Sequence, residues 1–144
     1  MLVQQILKSK GSTGVISVTP SAKLSEVSSI LAEKHIGGLI VSADGETADG
    51  IISERDIVRV VAQNGAKCLD FEVGIVMTKN VKTCGLDETA DAIMQRMTDG
   101  RFRHMPVEDD GKIVGVVTIG DLVAARLSEL SMEKDALQGM IMGH

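Results

Sequence analysis

The sequence predicts an α/β chain, in the α+β sense, built from two β-α-β-β-α repeats packed as a pseudo-two-fold pair. Three observations predict it, and internal similarity is the first thing to seek in such a chain. Gly50-Ile51-Ile52-Ser53-Glu54-Arg55-Asp56-Ile57-Val58 is echoed by Gly115-Val116-Val117-Thr118-Ile119-Gly120-Asp121-Leu122-Val123, an offset of 65 residues. His35-Ile36-Gly37-Gly38-Leu39-Ile40-Val41 lies opposite Arg101-Phe102-Arg103-His104-Met105-Pro106-Val107, an offset of 66. The stretch from Val15 to Leu24 lies opposite Val81 to Ala90 at the same offset of 66.

Each repeat opens on a short apolar strand, Val15 to Val18 or Val81 to Cys84. A capping segment follows, Pro20-Ser21-Ala22-Lys23 or Leu86-Asp87-Glu88-Thr89. An amphipathic helix comes next. Its apolar positions are Leu24, Val27, Ile30 and Leu31 in the first repeat, and Ala90, Ile93, Met94 and Met97 in the second. Spacings of three and four residues mark one helical face. A second strand covers Gly38 to Val41 or His104 to Val107. A turn at Ala43-Asp44-Gly45 or Asp109-Asp110-Gly111 leads to a third, Gly50 to Ile52 or Ile113 to Val117. Ser53 and Thr118 stand where a helix N-cap belongs. The closing helix carries Ile57, Val58 and Val61, or Leu122, Val123, Leu127 and Leu130. Leu2 to Leu7 forms a helix ahead of the first repeat, and Gly65 to Val73 links the copies. The tail with Met132, Met140, Ile141 and Met142 extends the last helix or adds one. The division is 1–66 for the N-terminal segment and first repeat, 67–131 for linker and second repeat, and 132–144 for the tail. One repeat cannot bury its sheet face alone, so the two share a core.

Composition narrows the function. The 144 residues are 44% hydrophobic and 24% charged, an ordinary globular makeup. Net charge is −5 and the pI about 5.1, which argues against nucleic-acid binding through phosphate neutralisation. Phe71 and Phe102 are the whole aromatic complement, so stacking platforms for single strands are missing. No run approaches the ~20 apolar residues of a membrane helix, and the start of the chain lacks a signal peptide's order. Cys68 and Cys84 read as small apolar residues in a reducing cytoplasm. His35 and His144 have no partners at metal-ligand spacing. There is no nucleophile elbow and no Gly-rich phosphate loop, so neither catalysis nor a metal is expected.

Taken together, the two hydroxyl-x-x-Asp motifs after Gly-β-β strands, the Arg103-His104-Met105-Pro106-Val107 run and the Val76-Met77-Thr78 lead-in to the second repeat resemble a stand-alone pair of CBS domains, a Bateman module. The resemblance covers about Gly14 to Leu130. It implies a pseudo-two-fold pair that forms homodimers and takes adenine nucleotides in clefts between the repeats. Candidates for the ligand are AMP, ADP, ATP or NAD(H). In the family the motif Asp holds the ribose, which nominates Asp56 and Asp121, with Ser53 and Thr118 beside ribose or phosphate. A carboxylate at a helix N-terminus can accept both ribose hydroxyls in a fork, and the adjacent N–H groups favour anions. A capping box explains the same residues without a ligand.

Phosphate needs cations. Arg103 and His104 lie in the second repeat, with Arg55 in the first; Gly38 and its neighbour Gly37 replace the charged pair in the first repeat. The adenine would rest on Ile16 and Val18, on Val81 and Thr83, and on Met105 and Pro106, with plain core packing the alternative for Ile16, Val18 and Met105; Ser17 is a further ligand-contact candidate, and Lys79 lies near the lead-in. The expectation is that Asp121, with Thr118 and the Arg-His pair, marks the stronger phosphate cleft. The alternative to a nucleotide-binding regulator acting on a protein in trans is a dimerisation scaffold with vestigial clefts.

Overall fold

The computed structural model describes residues 1–11 and 15–141; Gly14, Met142 and His144, which figure in the sequence reading, lie outside the described residues. The order is α1 (Val3–Lys10), β1 (Ser17–Val18), α2 (Leu24–Lys34), β2 (Gly38–Val41), β3 (Gly50–Ser53), α3 (Glu54–Asn64), a 3-10 turn (Ala66–Asp70), α4 (Val73–Val76), β4 (Cys84–Gly85), α5 (Ala90–Gly100), β5 (His104–Asp109), β6 (Lys112–Thr118) and α6 (Ile119–Ile141). Two three-stranded sheets result, β1-β2-β3 and β4-β5-β6. In each, the first pair is parallel and the second antiparallel. The two repeats therefore share one topology, as their sequences require.

Local chemistry sets the boundaries. Ser53 caps α3: its Oγ accepts from Asp56 N–H (3.3 Å), and Asp56 Oδ2 accepts from Ser53 N–H (2.9 Å). Thr118 and Asp121 repeat the reciprocal pair at 3.1 and 2.9 Å. These are capping boxes that satisfy otherwise orphaned N–H groups. Thr89 caps α5 by accepting from Ala92 N–H. Ser21 does not cap α2; Lys23 occupies the N-cap without a side-chain bond, and the Ser21 hydroxyl meets Thr19 Oγ1. The opening strands are shorter than their apolar runs. The second begins only at Cys84, because ladder partners exist only where the chain runs beside β5 at Val107 and Glu108. The last helix continues through the tail for 23 residues, about 35 Å at 1.5 Å per residue.

The packing exchanges segments between the repeats. Val3 and Ile6 of α1 are buried with Ile93, Met97, Met105 and Leu122 in the second repeat's core. Val3 N–H donates to Glu88 O at 2.9 Å. Conversely Cys68 and Val73, from the segment joining the copies, are buried with Leu24, Val27, Val41 and Ile52 of the first. Val73 N–H donates to Ala22 O at 2.7 Å. This exchange explains the glycine that opens each repeated motif. A Cβ on Gly50 would overlap Met77 Sδ and lie 2.9 Å from Thr78 O, and one on Gly115 would lie 2.8 Å from Leu7 Cδ2.

Candidate ligand-binding clefts between the repeats

Two clefts open where the repeats meet, of about 480 and 510 Å³. Each combines the hydroxyl-x-x-Asp corner of one repeat with the residues just before the first strand, and the α-to-β turn, of the other. The first holds Ser53, Arg55 and Asp56 from the first repeat, facing Val81, Lys82, Arg101 and Arg103 from the second. The second holds Thr118 and Asp121 from the second repeat, facing Ile16, His35 and Gly38 from the first, with Lys10 of α1. Gly37, Ile51 and His104 line both clefts.

This crossed construction corrects the expected grouping. Arg103 lines the Asp56 cleft, while its backbone carbonyl accepts from Ile119 N–H (3.0 Å) at the Asp121 corner. Of the residues grouped with Asp121 in the sequence, Thr118 and His104 line its cleft, joined there by Lys10. The reason is geometric: the strand that follows Arg103 pairs with β6 in its own sheet, but its N-terminal turn projects across the boundary towards the other repeat's helix.

His104 forms the partition. Its ring fits because Gly37 and Gly38 carry no side chains. Cβ atoms there would approach Nε2 and Cδ2 to 3.2 and 3.1 Å. The paired glycines thus make room for a side chain of the other repeat. Burial holds the His104 imidazole below its ordinary range; Arg103 and Lys10 act in the same sense, and Glu54 and Asp121 oppose it. The ring is a neutral hydrogen-bonding group near neutral pH.

Both motif carboxylates are already engaged. Asp56 is 7% exposed, and its Oδ1 meets Arg59 at 3.0 Å. Asp121 Oδ2 meets Lys10 Nζ at 2.9 Å, and the same ammonium donates to Val116 O at 2.9 Å. The Lys10–Asp121 pair is partly exposed and is worth about 0–1 kcal/mol. Lys10 and Arg59 were not legible as cleft residues. Lys10 stands in a separate helix 111 residues from Asp121, and Arg59 reads as a solvated helix charge.

The remaining sequence candidates divide. Ile16 and Gly38 line the second cleft and Val81 the first. Met105 is fully buried in the core and Pro106 is buried beside it. Ser17 and Val18 pair with β2 away from either lining, with Val18 packed on the first core. Thr83 offers its carbonyl to Arg96 at 2.9 Å, and Lys79 is exposed outside both clefts. Two helix C-caps, His35 and Arg101, adopt the left-handed conformation at φ 54° and 56°. They are equivalent positions 66 residues apart, and each turns its helix end into the cleft facing the other repeat. Among the described residues no group of three or more His, Cys, Asp or Glu could hold a metal. No helix among them is long and apolar enough to cross a membrane.

Comparison with known proteins agrees with this architecture. The chain is 32% identical over 148 aligned residues to the mitochondrial CBS domain-containing protein CBSX3 of Arabidopsis thaliana, covering 98% of this chain and 72% of that one. A CBS-domain containing protein from Agrobacterium tumefaciens superposes with a TM-score of 0.83 at 40% identity, covering 88% and 99% of the two chains. A CBS domain pair in complex with 5′-methylthioadenosine and S-adenosyl-L-methionine gives 0.78 at 28% identity, covering 90% and 98%. The protein CBSX2 in complex with AMP gives 0.72 at 25% identity, covering 88% and 96%. The family profile for the CBS domain matches twice, at residues 7–63 and 72–128, each match spanning one of the two repeats that the internal offset separates, and the chain belongs to the CBS domain family.

Proposed function

We propose that the chain is a non-catalytic regulatory module that binds an adenine nucleotide in the clefts between its CBS domains. The observation that carries this reading is the pair of clefts, each with a motif Asp at a helix N-terminus facing the segment just before the first strand of the other repeat. Complexes of similar proteins with AMP and with adenosine-containing ligands support it. AMP, ADP, ATP and NAD(H) are the ligands to screen. Binding regulates only if it favours one of two states of the module or of its grip on a partner, and the partner is a protein acting in trans.

The module works as a homodimer. Val58 and Val61 on α3, and Val123, Leu127 and Leu130 on α6, are exposed apolar side chains on the two equivalent helices, and a second copy would cover them. The compartment is the reducing cytoplasm: Cys68 and Cys84 are free and buried, and burial pushes the Cys84 thiol up to about 11. A dimerisation scaffold is the competing reading, favoured by the same exposed face.

A thermal-shift screen separates the two. A nucleotide at a hundredfold excess over Kd stabilises the folded chain by about 2.7 kcal/mol. Absence of any shift with all four ligands, alongside a dimer by light scattering, decides for the scaffold.

A further inference from the structure

The equivalent positions of the two clefts differ chiefly in charge. Across the first cleft stand Lys82, Arg101 and Arg103; across the second their counterparts are Ile16, His35 and Gly37. On the corner helices Arg55 and Arg59 correspond to Gly120 and Ala124 at the motif offset of 65. The first cleft therefore carries five cationic side chains against two carboxylates, Glu54 and Asp56, an excess of three. Only Arg59 is paired; Arg55, Lys82, Arg101 and Arg103 make no ion pair among the described residues. Among its described residues the second cleft carries one cation, Lys10, and one carboxylate, Asp121, and the two are paired.

We propose that the clefts sort ligands by phosphate charge: the Asp56 cleft takes a polyphosphorylated adenine nucleotide, and the Asp121 cleft takes an adenine nucleoside without phosphate. This rests on reading both clefts as adenine-ligand sites. Four unpaired cations converging on one concave surface hold a positive potential that a polyphosphate relieves, and guanidinium forks match phosphate oxygens two at a time. Among its described residues the second cleft has no unpaired Lys or Arg for a phosphate. Its apolar wall of Ile16, Ile36 and Val116 suits a base and ribose.

The test titrates the full-length chain, isotopically labelled, with inorganic tripolyphosphate, ATP and adenosine, following backbone amide shifts. Tripolyphosphate is expected to move the amides of Arg55, Lys82 and Arg103 and to leave those of Thr118 and Asp121. Adenosine is expected to move Thr118 and Asp121. Replacing two of the cleft's exposed arginines, Arg55→Ala with Arg103→Ala, weakens ATP by at least about tenfold and leaves the adenosine response at Asp121 intact. Equal movement of Thr118 and Asp121 with tripolyphosphate, or ATP affinity within about twofold in the double variant, overturns the sorting. If ATP binds no better than tripolyphosphate, and adenosine no better than ribose, the adenine reading fails. The charge assignment then stands or falls on tripolyphosphate alone.

Discussion

The Asp56 and Asp121 clefts are assembled from the same two pieces of repeat, exchanged between copies, yet they present opposite surfaces. Both corners are capping boxes with matching hydrogen bonds. What faces them differs: arginines and a lysine in one case, His35, glycine and an isoleucine in the other. Duplication preserved the backbone device because the helix N-terminus needs it. The facing side chains take no part in either N-terminal cap, so they can differ between the copies. In such a pair the properties of a cleft cannot be assigned from the repeat that supplies its Asp.

The largest expected break in the comparison lies at the motif glycines. Gly50→Ala drives a Cβ against the Thr78 carbonyl at 2.9 Å as well as into Met77, whereas Gly115→Ala meets only the flexible end of Leu7 at 2.8 Å. Overpacking of this kind costs about 1–3 kcal/mol. Gly50→Ala should lie at the top of that range and Gly115→Ala near the bottom, read as the shift in denaturant midpoint at unchanged slope. Equal losses would show that backbone and side-chain obstacles yield alike.

The caps come next. Ser53→Ala and Thr118→Ala should each destabilise by about 1 kcal/mol. Their similarity in urea unfolding would sharpen the view that the corners are equivalent and only the facing walls differ. A loss confined to one of them would undo it.

The smallest effect concerns the shared wall. The His104 imidazole is held below the ordinary histidine range, chiefly by burial. The unfolded chain therefore takes up a proton that the folded chain resists. Stability present above about pH 6.5 is lost as pH falls below it. The groups facing the ring are Glu54, Arg103, Asp121 and Lys10. His104→Gln should flatten the decline of melting temperature as pH falls below about 6.5; an unaltered slope would place its origin in the carboxylates instead.

Much of the fold was legible in the sequence. The helix faces built on Leu24, Val27 and Leu31, and on Ala90, Ile93 and Met97, are the buried faces observed. The hydroxyl-x-x-Asp motif announced its own cap, because that geometry is local to four residues. The strands before each first helix are shorter than their apolar runs predict, since a strand exists only where a partner runs beside it. Met105 and Pro106 went to the core because β5 is central in its sheet and buried on both faces.

The sequence by itself determined the two repeats, their elements and the two corners that carry Asp56 and Asp121, because periodicity and capping act over a few residues. Tertiary structure alone decided which wall each corner faces. It set Lys10 against Asp121, Arg103 in the Asp56 cleft and His104 between Gly37 and Gly38, since burial of α1 and of the linking segment in the opposite repeats interlocks the pair. That interlock joins residues far apart in the chain, and no local pattern records it.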